Sequence, residues 1–155
     1  MNGRVLIVLL ALGIGGVCSV RGAFSQSDAQ TKRRAINLPD KFAGAPFSNA
    51  ILAGDTLYLA GSIGLDPKTG NPPQQIDEEI KILLDGYKAV LAQANMTMDD
   101  LVYVQVFCTD LSYFDKFNTA YRAYFSKDFP ARAFIGAGSL LRGGHFELQA
   151  IAVRQ

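Results

Sequence analysis

The sequence predicts an α+β domain, a mixed β-sheet with two helices packed on one face. Three observations predict it. Ile76, Ile80, Leu83, Leu84, Tyr87, Val90, Leu91 and Ala94 recur at three- and four-residue intervals, which makes one apolar helical stripe. Leu101 to Thr109 is a largely apolar run with β-branched and aromatic residues, the pattern of a strand buried on both faces. In the last segment Phe146, Leu148, Ala150 and Ala152 alternate with Glu147, Gln149, Ile151 and Val153, the period of two of a strand.

The elements follow in order. Arg4 precedes the apolar run Val5 to Ile14, too short for a membrane span, and small residues continue through Ser19. Ala23-Phe24-Ser25 supplies small residues at both critical positions of a cleavage site, so residues 1–25 read as a signal peptide and Gln26 as the mature start. Val17 immediately before Cys18 argues against lipoprotein processing. The expected location is exported, periplasmic or secreted, with no membrane association after cleavage; an uncleaved signal anchor is the alternative. Residues 26–36 are polar and basic and read as a flexible leader, with Lys32-Arg33-Arg34 as a solvated linker. The domain proper is 37–155. Ala50–Ala53 and Thr56–Ala60 flank Gly54-Asp55, a two-residue connection that favours a tight hairpin. Asp66-Pro67-Lys68-Thr69-Gly70 is a turn, and the long helix follows. Asp77, Glu78 and Glu79 fall in its first turn, where carboxylates suit the dipole, and Asn95 stops it. Asp110 caps a second helix whose inward face carries Phe114, Phe117, Tyr121 and Tyr124 or Phe125. Strands at 132–138 and 145–153 complete the pattern. Helices cover only one face of such a sheet, so its second apolar face predicts an oligomer.

Composition excludes several classes. Hydrophobic residues are 49% and charged residues 19%, values of an ordinary globular chain. The net charge is +1; removing Arg4 and Arg21 with the first 25 residues leaves 13 basic against 14 acidic, or −1. A near-neutral domain carries no electrostatic footprint for nucleic acid. Without the first segment, Cys108 is the one cysteine left, so it has no internal disulfide partner; it reads as a buried small hydrophobe. The single histidine, His145, reads as a turn residue, and no spacing suggests a metal site.

Two charges stand out of place. Arg132 follows Phe129-Pro130-Ala131 into a strand, and Glu147 interrupts the last strand. Arg and Glu are rarely buried unless paired, liganded or catalytic. Fifteen residues separate them, enough for a strand, a Gly-rich turn at Arg142-Gly143-Gly144 and a return strand. An antiparallel or nearby pairing is expected to bring them into one cleft. A guanidinium there holds a carboxylate through two parallel hydrogen bonds. A structural ion pair across an oligomer interface is the other reading of the same spacing.

Pro130-Ala131-Arg132 and the ending Glu147-x-x-Ala150-Ile151-Ala152-Val153-Arg154 resemble the RidA (YjgF-like) family of imine and enamine deaminases. Pro46-Phe47-Ser48, Gly54-Asp55-x-Leu57-Tyr58-x-x-Gly61, Ile63-Gly64-x-Asp66-Pro67-x-Thr69-Gly70, Val106-Phe107-x-Thr109-Asp110, Asn118 and Tyr121 match in order. The resemblance covers residues 37–154. It implies a chorismate-mutase-like fold assembled as a trimeric barrel, a homotrimer with its sites in clefts between subunits. It also implies a small carboxylate-bearing ligand and hydrolysis of 2-imino or 2-enamino acids to 2-oxo acids and ammonia without a cofactor. Arg132 would anchor the carboxylate, Glu147 would assist water, and Asn118, Phe47 and Phe134 would line the site. Phe47 stands where many members carry Tyr, and Ala133-Phe134 replaces a small polar pair, which implies a narrower, drier pocket. A non-enzymatic carboxylate-binding module and an endoribonuclease are the competing readings.

Overall fold

The computed structural model describes residues 33–39 and 44–155. The expected signal peptide at 1–25, and residues 26–32 of the expected leader, lie outside the described residues. Among the described residues the sheet contains six strands: β1 Arg33–Ile36, β2 Ala50–Ala53, β3 Thr56–Ile63, β4 Leu101–Cys108, β5 Ala131–Gly136 and β6 Phe146–Val153. They lie in the order β1-β2-β3-β6-β4-β5. Every pairing is antiparallel except β4 with β5. Helices α1, Ile76–Ala92, and α2, Phe114–Arg122, pack on one face. The α+β class predicted from the pattern is the one observed.

Local chemistry explains the elements. Gly54 takes a φ of 61° in the tight turn between β2 and β3. The α1 stripe goes into the core, where Ile80, Leu83, Leu84, Tyr87 and Leu91 are buried. Beyond its end Asn95 takes a φ of 56° and the Met96 N–H returns to the Leu91 carbonyl at 3.0 Å, a left-handed stop. Asp110 accepts from Ser112 N–H at 2.9 Å and caps a 3₁₀ turn that opens into α2. Phe117 and Tyr121 face inward, whereas Phe114 is exposed at the edge of the layer.

One expectation needs correction here, and one acid does more than its position announced. Residues 33–36 are not leader but an edge strand, pairing Arg34 with Leu52 and Ile36 with Ala50. Ile36 is the one buried side chain of the four, so the segment reads as linker; backbone bonds to the free edge of β2 hold it. Glu79 stands in the first turn of α1 as expected, and it is completely buried. It accepts from the backbone N–H groups of His145 at 2.7 Å and Phe146 at 3.2 Å, and pairs with His145 Nδ1 at 2.6 Å. The carboxylate thereby ties α1 to the start of β6. The expected turn residue His145 is one half of that tie.

The second face of the sheet is left uncovered by the described residues. One row across it runs Ile51, Tyr58, Ile151, Tyr103, and another Ile63, Glu147, Phe107, Ile135. Tyr58 is 51% exposed and Tyr103 39%.

Candidate functional site

Arg132 lies on the edge strand β5, just after Pro130, whose missing N–H is tolerated at an edge. β4, α2 and β5 form a parallel crossover in which Arg132 pairs beside the buried Val104. Paired residues share a face, so Arg132 faces the helix layer and meets α2. Its guanidinium donates to Asn118 Oδ1 at 2.5 Å. The guanidinium carbon lies 4.7 Å from the Tyr121 ring centre, 5.7 Å from Phe134 and 6.0 Å from Phe114. Aromatic faces hold a cation by their quadrupoles and also shield it from water. Burial pushes the Arg132 guanidinium below its usual pKa; Tyr121 opposes this and the nearby Arg122 charge adds to it. Phe134 packs edge-on against Phe114 and Phe117, with ring centres 5.0 and 5.5 Å away, and so forms a wall beside Arg132.

In front of this group is a cleft of about 270 Å³, lined by Asn118, Tyr121, Arg122, Phe129, Pro130 and Arg132. Tyr121 is only 3% exposed, and its hydroxyl has no hydrogen-bond partner among the described residues. Burial pushes that hydroxyl up to about 12, against the pull of Arg132. The sequence singled out Asn118 and Arg132 but not Arg122, and treated Tyr121 as a helix-core match. The readable signal was spacing: Asn118, Tyr121 and Arg122 sit at i, i+3 and i+4, on one side of α2.

Glu147 is elsewhere. It belongs to β6, pairs with Ile63 and Phe107, and faces the uncovered side of the sheet. Its carboxylate rests on the backbone at Gly61, where β3 makes a bulge between Leu59 and Ser62. A Cβ added at Gly61 would come within 2.2 Å of Glu147 Oε1, so only glycine admits the carboxylate there. Tyr87 pins this bulge from the helix side, its hydroxyl directed at the carbonyls of Ala60, at 2.7 Å, and Leu148. Burial, and then the Glu147 charge, raise its pKa.

One copy of the chain therefore does not bring Arg132 and Glu147 together. β5 pairs in parallel with β4, and β4 separates it from β6. The register offset between the two charges across β4 is three residues, Val104 against Phe107, which puts them on opposite faces. Two strand spacings across and three residues along are each about 10 Å. Phe47 is 55% exposed, and it is not among the residues lining the cleft. His145, held by Glu79, is not among them either.

Residues 39–154 match a family model described as Endoribonuclease L-PSP. The chain is 36% identical over 110 residues to the 2-iminobutanoate/2-iminopropanoate deaminase of Bos taurus, covering 70% of this chain and 80% of that one. With the human protein of the same name it is 34% identical over 125 residues, covering 79% and 90%. Among solved structures, RidA from an Antarctic Psychrobacter superposes with a TM-score of 0.72 at 30% identity, over 78% of this chain and 100% of that one. E. coli TdcF with bound serine gives a TM-score of 0.72 at 27% identity, over 79% and 99%. With the fold and these likenesses in agreement, the chain belongs to the Endoribonuclease L-PSP family, the family of YjgF and RidA.

Proposed function

We propose that this protein hydrolyses 2-imino acids, and their 2-enamino tautomers, to 2-oxo acids and ammonia, with no cofactor. The observation that carries the reading is Arg132: a half-buried guanidinium lining a cleft, held by one amide oxygen and three aromatic rings, with no carboxylate paired to it among the described residues. Such a group takes a substrate carboxylate by two parallel N–H···O bonds, and this fixes the adjoining imine carbon.

The active assembly is a homotrimer in which the uncovered sheet faces pack inward. Burying the rows around Tyr58, Ile151 and Tyr103 requires another copy, and the same packing carries Glu147 to the Arg132 cleft of a neighbour. Glu147 then positions a water and accepts its proton as the oxygen attacks the imine carbon. The proton passes to nitrogen, the carbon–nitrogen bond breaks, and ammonia leaves a 2-oxo acid; one water is consumed and nothing is oxidised. Imines hydrolyse unaided in water, so anchoring and modest acid–base help suffice. Relatives named for 2-iminobutanoate and 2-iminopropanoate, and a neighbour holding serine, support a small carboxylate-bearing ligand. The family model's description points to RNA, but a domain of near-neutral charge, whose single histidine is tied to Glu79, supplies neither a phosphate track nor a histidine pair.

The test is a coupled assay in which an amino-acid oxidase generates 2-iminobutanoate and release of 2-oxobutanoate is followed. Wild-type protein is expected to accelerate release, and Arg132→Ala to lower that acceleration at least about a hundredfold with the oligomer intact. No acceleration by wild type, with 2-oxobutanoate still bound, would make this a binding module. RNA cleavage that survives Arg132→Ala would overturn both.

A further inference from the structure

Within one copy of the chain the cleft presents two guanidiniums, and the reading above uses only one of them. Arg122, in the last turn of α2, lines it together with Arg132, and no acid is among the lining residues. The ion pairs among the described residues involve neither arginine. Arg122 lies over the Phe129 ring at 5.7 Å, Arg132 over the Tyr121 ring at 4.7 Å, and the two rings stack with centres 6.5 Å apart and planes 28° from parallel. The two guanidiniums are thus carried by neighbouring rings of one aromatic floor. The Tyr121 hydroxyl beneath Arg132 is a buried donor without an acceptor among the described residues.

We propose that this cleft is built for a ligand with two carboxylates, a 2-imino dicarboxylic acid whose reacting end is held by Arg132 and whose distal carboxylate is held by Arg122. The hydrocarbon between them lies on the exposed Phe129 ring. This rests on the reading of Arg132 as a carboxylate anchor and extends it to substrate class. Two like charges in one partly desolvated cleft repel each other, as the Arg122 contribution to the lowered Arg132 pKa reflects. A dianion compensates both guanidiniums, whereas a monoanion leaves one of them uncompensated. The reaction is balanced as before: one water adds to the imine carbon, ammonia leaves, and the product is a 2-oxo dicarboxylate.

Two ratios test the proposal. The first is kcat/KM for oxidase-generated 2-iminoglutarate or 2-iminosuccinate over that for 2-iminobutanoate, in wild type and in Arg122→Gln. The second is the ratio of calorimetric affinities for 2-oxoglutarate over 2-oxobutanoate in the same two proteins. Wild type is expected to favour the dicarboxylate, and Arg122→Gln, with its oligomer unchanged, to lower both ratios at least about tenfold, as loss of one charge-assisted contact does. If wild type hydrolyses 2-iminobutanoate and Arg122→Gln leaves both ratios where they were, the dicarboxylate proposal is overturned while the deaminase reading stands. If no imine is hydrolysed but the affinity ratio still falls in Arg122→Gln, the deaminase reading fails and the two-carboxylate site stands. Absence of both hydrolysis and binding overturns both.

Discussion

Among the described residues Arg132 makes one side-chain hydrogen bond, to Asn118 Oδ1, and otherwise faces aromatic rings. A guanidinium so placed is costly to leave without an anion and well suited to accept one. Glu147 is placed by different means: the carboxylate fits because residue 61 has no side chain. Gly61→Ala is therefore a sharp probe. The added methyl meets the mobile end of a side chain, so stability should change by less than about 1 kcal/mol. The carboxylate must swing off the bulge, and imine hydrolysis should fall at least about tenfold, a loss to be read from kcat/KM beside an unchanged melting temperature. Arg132 and Glu147 were legible in the sequence because a charge in an apolar strand breaks a simple pattern. Arg122 was not legible, since an arginine in the last turn of a helix is also ordinary dipole chemistry.

The long helix and the strands other than β1 came from the residue pattern, and the Gly54-Asp55 turn from its composition. Pairing partners did not. Nothing in the residues of β5 states that it joins β4 in parallel rather than β6, and that choice decides which face Arg132 takes. The crossover through α2 makes the difference, because it carries the chain back to the same end of the sheet before β5 begins. Glu79 shows the same limit. Its place in the first turn of α1 describes a solvated acid, and only the return of β6 beneath the helix makes it a buried acceptor for two backbone N–H groups. Glu79→Ala strands those donors and His145 together, at a cost of about 3 kcal/mol, expected as a lowered urea midpoint. A midpoint within error of wild type would remove Glu79 from any structural role.

At the scale of the whole molecule, the helices and the uncovered sheet face divide the work. The helix side of β5 presents Arg132 and the far side of β6 presents Glu147, so the two meet only if copies of the chain meet. Tyr103→Asp places a charge in the middle of the uncovered row and should give a folded monomer by sedimentation velocity, with hydrolysis lost. Subunit mixing tests the account most directly. Arg132→Ala and Glu147→Gln subunits, each inactive alone, are denatured together in equal amounts and refolded. If every site takes Arg132 from one copy and Glu147 from the next, each mixed trimer regains one intact site of three, and random assembly should restore about a quarter of wild-type activity. A site contained within one copy would stay broken in every subunit. Mixed trimers as inactive as their parents would contradict the shared site.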